Sequence, residues 1–216
     1  REKATLIAAL PVEGYAVLNF DDEAVLEIKD RTRAHMFSYG FGEDATLQIT
    51  NYELQVPKAG VQSAAGERFS LRHGSAVVPV TLKNTFGKQQ AYAAAAAACV
   101  GLVFNMSLPE IARSLAGYES PPGRLKLLRG NKQSLILDDT YNASPIATHA
   151  ALDVLREFPA SRRIAVLGDM LELGKFTEAA HRAVGDRVAT SADVFIAVGE
   201  RMKFALDEAT RPGVKK

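Results

Sequence analysis

The sequence holds a single cysteine, Cys99, so no intramolecular disulfide framework staples it. Such a chain fits a reducing compartment, and the cytoplasm is the expected location, although a bacterial secreted protein can also lack disulfides. Neither sign of charge is in excess. Lysine and arginine total 26 against 25 aspartate and glutamate, with no long run of either sign. That removes the electrostatic basis for a nucleic-acid or anionic-membrane partner and leaves small molecules or proteins. No stretch of about 20 uncharged apolar residues is present to span a bilayer. No basic segment followed by an apolar run of signal-peptide form opens the chain.

Signature motifs are also scarce. No G-x-x-x-x-G-K-[ST] phosphate loop occurs, so this segment lacks a complete nucleoside triphosphate site. No G-x-G-x-x-G follows an expected strand, which leaves a dinucleotide cofactor without support. The absence of a G-x-S-x-G elbow argues against a serine hydrolase. His35, His73, His149 and His181 stand at spacings that form no zinc motif and read as surface or core histidines.

What is present is a folded chain of 216 residues, 47% apolar, long enough for one large domain or two small ones. Its most informative stretch is Ser134-Leu-Ile-Leu-Asp-Asp-Thr-Tyr-Asn-Ala-Ser-Pro145. Leu135 to Leu137 is an unbroken apolar run, as expected of a strand buried on both faces of a parallel sheet. Ser144 is placed to cap the next helix, and Pro145 suits its first turn, where the missing N–H costs nothing. The turn between them carries Asp138, Asp139, Tyr141 and Asn142. It lies outside the carboxyl end of a strand, where open α/β sheets bind ligands, although an ordinary capped turn has the same spacing.

Along the chain, residues 4 to 10 read as a helix already under way at Arg1, with no capping residue before it, which suggests a piece of something longer. Tyr15 to Asn19 reads as a short strand, and Asp21 and Asp22 read as caps for a helix carrying Ala24, Val25, Leu26 and Ile28. From Met36 to Leu82 the period becomes two, with glycine turns at Gly40 to Glu43 and His73-Gly74, which predicts a meander or set of hairpins. Lys88 to Phe104 predicts a helix whose alanines, Ala93 to Ala98, permit close packing and whose Cys99 is a core residue. Ser107 to Glu110 has capping-box spacing and starts a helix through Leu115. Glu119-Ser-Pro-Pro-Gly-Arg124 is the linker candidate, because adjacent prolines join neither a helix interior nor a central strand.

Beyond the linker, strands at 134–138, 163–168 and 194–199 alternate with helices at 145–157, 177–189 and 201–209. That interval implies right-handed crossovers and a Rossmann-like, mainly parallel α/β domain.

Four segments together resemble one family, the ATP-dependent Mur ligases of peptidoglycan synthesis. They are Val17-Leu-Asn-Phe-Asp-Asp22, Pro122-Gly-Arg124, Asp138-Asp-Thr-Tyr-Asn-Ala-Ser-Pro145, and Val166-Leu-Gly-Asp-Met-Leu-Glu-Leu-Gly174 with His181 after it. The resemblance implies an α/β chain in which residues 1–123 are the latter half of a central ATPase domain, with β hairpins and helices, and residues 124–216 are most of a C-terminal domain. It implies ATP and Mg2+, with the phosphate loop and metal ligands ahead of Arg1, so that this piece alone would not ligate. The last two segments imply D-alanyl-D-alanine as the amino component and UDP-N-acetylmuramoyl-tripeptide as its acceptor. By position, Arg124 resembles a hinge arginine that contacts ATP and Asp139 the acidic residue near the ribose, while Tyr141 and Asn142 line the same pocket. The family's Gly-x-His-Asn-x-x-Asn pattern is Gly87-Lys-Gln-Gln-Ala-Tyr-Ala93 here, leaving the amides of Gln89 and Gln90 as candidates beside the adenine. A related amide ligase of folylpolyglutamate or cyanophycin type, and a non-catalytic α/β binding module, remain as alternatives.

Overall fold

The structure is a computed structural model that describes residues 2–56 and 65–211. The uncapped start expected at Arg1, and residues 57–64 of the alternating stretch, lie outside the described residues. Two compact units divide the chain: one holds Arg1–Gln55, Gly66–Lys83 and Lys88–Glu119, the other Val56–Ala65, Asn84–Gly87 and Ser120–Lys216.

In the first unit, helix α1 (Glu2–Ala8) precedes strand β1 (Tyr15–Asn19), a single helical turn α2 (Glu23–Leu26), and strands β2 (His35–Gly40), β3 (Leu47–Gln55), β4 (Gly66–His73) and β5 (Ala76–Lys83). The strands form one sheet in the order β1-β2-β3-β4-β5. The expected meander holds only for β3, β4 and β5, which are antiparallel. β2 runs parallel to both β1 and β3, so the turn at Gly40 to Glu43 is not a hairpin. The stagger explains it: Tyr39 pairs with Leu47 and Gly40 with Gln48, so the end of β2 lies beside the start of β3. A short sideways step then suffices where a full crossover would otherwise be needed. Pro79 sits in β5, the edge strand, where a missing N–H is tolerated.

Helix α3 (Lys88–Val103) packs on this sheet with Ala91, Ala94, Ala95, Ala98 and Cys99 buried, a helical stripe almost without side-chain bulk. Leu47, Ile49, Phe69, Leu71, Val80 and Leu82 complete that core. Burial pushes the Cys99 thiol up to about 12, which suits packing rather than nucleophilic chemistry. Helix α4 (Leu108–Leu115) starts as expected: the Ser107 N–H and hydroxyl both donate to Glu110 Oε2, at 2.9 and 2.6 Å.

The second unit contains β6 (Lys126–Arg129), β7 (Leu135–Asp138), α5 (Pro145–Glu157), β8 (Ile164–Gly168), α6 (Thr177–Ser191), β9 (Val194–Val198) and α7 (Lys203–Ala209). β8 and β9 pair in parallel, as the alternation implies. β7 differs from expectation, because it pairs antiparallel with β6. Its apolar run is not buried on both faces: Leu135 and Ile136 are 47% and 48% exposed in this two-stranded ribbon. Among the described residues no ladder joins β7 to β8. One face of the β8–β9 pair packs Ala165, Leu167 and Phe195 against Leu152, Val184 and Val188 of α5 and α6. Ile164, Val166, Val194, Ile196 and Val198 are exposed.

Candidate functional site

The site begins at the end of β7 and is closed by two loops that bond to each other. Asp138 Oδ2 accepts the Gly123 N–H at 3.1 Å, Asp139 Oδ1 accepts the Leu125 N–H at 3.1 Å, and the Tyr141 N–H donates to Gly123 O at 3.2 Å. Those bonds tie the Pro-Pro-Gly-Arg segment to the strand end on both sides of Arg124. Ser120 Oγ adds a bond to Arg124 O at 2.5 Å. Close approach needs a residue without a side chain: Gly123 has φ +73°, and a Cβ there would lie 2.8 Å from Tyr141 N. Leu125 also has a positive φ, +49°, an uncommon conformation for a branched apolar residue.

Both carboxylates are therefore engaged by the backbone. Thr140 donates to Asp138 Oδ1 from its hydroxyl at 2.7 Å and its N–H at 3.2 Å. The hydroxyl bond, chiefly, holds the Asp138 carboxyl below its usual range. Burial pushes Asp139 up, against the opposing pull of the Leu125 N–H and the Arg124 charge.

Arg124 itself is exposed and makes no salt bridge among the described residues. Its guanidinium lies over the Tyr141 ring, 4.1 Å from the centroid. Next along the turn, Asn142 Oδ1 accepts the Ala143 N–H at 2.9 Å, and Ser144 caps α5 by accepting the Ala147 N–H at 3.3 Å. Pro145 occupies the first helical turn. Arg124, Asp139 and Tyr141 thus meet at one strand end beside a capped helix N-terminus, an arrangement able to offer positive charge and a flat surface to an anionic ligand. Gln89 and Gln90 lie in the first unit, on the first turn of α3, where Gln90 Oε1 accepts the Tyr118 hydroxyl at 3.2 Å. Among the described residues no group of three or more His, Cys, Asp and Glu stands ready to hold a metal ion.

A second set of strand-end residues had no separate reading in the sequence. Asp169, after β8, accepts the Met202 N–H at 2.8 Å and so joins the loops that follow β8 and β9. Gly199, at φ +104°, makes room: a Cβ there would lie 2.5 Å from the Asp169 carboxyl. The signal was an aspartate at one strand end and a glycine at the next.

The chain is an α/β protein with polar side chains gathered at one strand end, and comparison with known proteins gives the family. Residues 123–215 match the profile "Mur ligase, glutamate ligase domain". The UDP-N-acetylmuramoyl-tripeptide–D-alanyl-D-alanine ligase of Escherichia coli K12 is 30% identical over 202 residues, covering 93% of this chain and 43% of that relative. The ligase of the same name from Bacillus subtilis is 28% identical, covering 99% of this chain and 46% of the relative. A crystal structure of MurF from Acinetobacter baumannii superposes with a TM-score of 0.83 at 28% identity, over 96% of this chain and 44% of that one. MurF ligase from Thermotoga maritima, solved in complex with ADP, gives 0.79 at 25% identity, over 94% and 44%. Residues 123–215 carry a Mur ligase domain, and nearly the whole chain is similar to Mur ligases. It spans less than half the length of the curated relatives it matches. No described helix is long and apolar enough to cross a membrane.

Proposed function

We propose that this chain is part of an ATP-dependent amide ligase that joins D-alanyl-D-alanine to UDP-N-acetylmuramoyl-tripeptide in the cytoplasm, for peptidoglycan synthesis. The observation that carries the reading is the near-full-length similarity of the chain to ligases of that name. In this reading residues 1–123 belong to a central ATPase domain and residues 124–216 to the C-terminal domain, while the phosphate loop and the Mg2+ ligands belong to other parts of the protein. The acceptor carboxylate attacks the γ-phosphorus of ATP and ADP departs, leaving an acyl phosphate. The dipeptide amine then attacks the acyl carbon, inorganic phosphate leaves, and the amine gives up a proton. Such steps depend on positioning and charge stabilisation. Arg124 supplies a cation for phosphate oxygens, with Asp139 toward the ribose and Asn142 along the nucleotide.

The test is ADP release by the full-length protein given ATP, Mg2+, the tripeptide acceptor and D-alanyl-D-alanine. Turnover that needs both acceptor and dipeptide supports the reading. Turnover with glutamate in place of the dipeptide would move the protein to the folylpolyglutamate type, and nucleotide binding without turnover would make it a binding module.

A further inference from the structure

Tyr141 is a large side chain with no packing role to explain it. It is 71% exposed, and its hydroxyl makes no hydrogen bond among the described residues. Its ring lies against the guanidinium of Arg124, 4.1 Å from the centroid. The backbones of the two residues are locked in register by the Tyr141 N–H to Gly123 O bond and by the bonds of Asp138 and Asp139 on either side of Arg124. An arginine is a long side chain that loses rotamer freedom whenever it fixes a ligand. With no salt bridge among the described residues to order it, the aromatic face, together with the charge of Asp139, sets its direction.

We propose that Tyr141 is a positioning residue for Arg124, whose guanidinium it holds flat against its ring so that the cation is already in place for the phosphate oxygens of a bound nucleotide. This rests on the reading that Arg124 meets nucleotide phosphate. Tyr141 then acts through its ring and not its hydroxyl. Replacing the ring weakens nucleotide use, whereas removing the hydroxyl alone does not.

Two measurements separate the proposal from the reading beneath it. In this chain, the Arg124 Nε–H proton resonance reports the ring current of Tyr141. It is expected to lie upfield in the wild type and in Tyr141→Phe, and to return to the ordinary arginine position in Tyr141→Leu; an ordinary position in the wild type overturns the proposal. In the full-length ligase, Tyr141→Leu lowers kcat/KM for ATP about two- to fivefold, the scale of an exposed cation–π pair. KM for the dipeptide and the thermal midpoint stay unchanged, and Tyr141→Phe restores the wild-type value. Wild-type kinetics in Tyr141→Leu, or a phenylalanine variant as poor as leucine, overturns the positioning role while a strong effect of Arg124→Ala leaves the nucleotide reading standing. If Arg124→Ala is itself without effect, the reading falls and the proposal with it.

Discussion

His181 accepts the Met170 N–H at its Nε2, 3.1 Å away, from a position of complete burial on α6. A backbone N–H only donates, so Nε2 carries no proton and the ring is the Nδ1–H tautomer, which donates to Thr177 O at 2.7 Å. One neutral imidazole thereby fastens both ends of the loop between β8 and α6. His181→Ala leaves a buried donor and a cavity, and is expected to cost about 3 kcal/mol. His181→Gln, which restores an acceptor, recovers part of that. Hydrogen exchange at the Met170 amide checks it: protection is lost in the alanine variant and partly regained with glutamine.

Glu67 on β4 is fully buried, with Oε2 accepting the Tyr52 hydroxyl at 3.0 Å and Oε1 without a partner among the described residues. Burial raises its carboxyl from the usual 4.5 to about 8, against the smaller pull of the Tyr52 bond. The unfolded chain ionises this group near the usual value, while the fold keeps the proton until about pH 8. Between those limits unfolding releases a proton, so stability is greatest at the acid end and falls by about 1.4 kcal/mol per pH unit. Above the upper limit the loss is complete. Urea unfolding of the first unit from pH 5 to pH 8 should show this slope in the wild type and a flatter one in Glu67→Gln. Parallel slopes would show that Glu67 is ionised in the fold.

Some of this was legible in the sequence, for local reasons. Ser144-Pro145 marks the start of α5, and the alanine run marks a helix that lies close on a sheet, because capping and side-chain bulk act within a turn or two. Asp139 and Tyr141 could be singled out because they follow one strand end, and Arg124 because it follows a proline pair and matches a family position. The burial of Leu135 and Ile136 could not be read, since an apolar run does not say which neighbours a strand will have, and the short strand β6 gives almost no period of its own. The parallel pairing of β2 with β3 depends on a stagger that a glycine turn does not disclose. Asp22 caps α2 as its position suggests, whereas Asp21 bonds across a separation of 20 residues. Tertiary partners of this kind leave no periodic trace.

Gly185 is the contact point of α6 with α7. A Cβ there would lie 2.2 Å from the carbonyl oxygen of Ala205, and backbone cannot swing aside as a side chain does. Gly185→Ala gains up to about 1 kcal/mol in helix propensity. Overpacking outweighs this, for a net loss of about 2 kcal/mol. Gly168→Ala serves as the control: nothing lies within 4 Å of its added carbon, and stability should change by less than about 0.5 kcal/mol. Urea unfolding of the two variants side by side decides it.

Asp21 gathers three donors at the carboxyl ends of β1 and β2. The N–H groups of Phe41 and Gly42 reach it at 2.6 and 2.9 Å, and the Tyr92 hydroxyl of α3 at 2.8 Å. Gly40 allows the approach, since a Cβ there would lie 2.7 Å from the carboxylate. Burial first, then the bond to Asp21 and its charge, push the Tyr92 phenol up, which keeps the hydroxyl a donor. Removing the exposed carboxylate leaves these donors to water, and Asp21→Ala should cost about 2 kcal/mol. Tyr92→Phe leaves both N–H groups satisfied and should cost about 1 kcal/mol. Because the two side chains share one bond, the double variant should be less destabilised than the sum of the singles by at least about 0.5 kcal/mol. A double-mutant cycle by urea unfolding tests this, and strict additivity would show that the bond contributes nothing to holding α3 on the sheet.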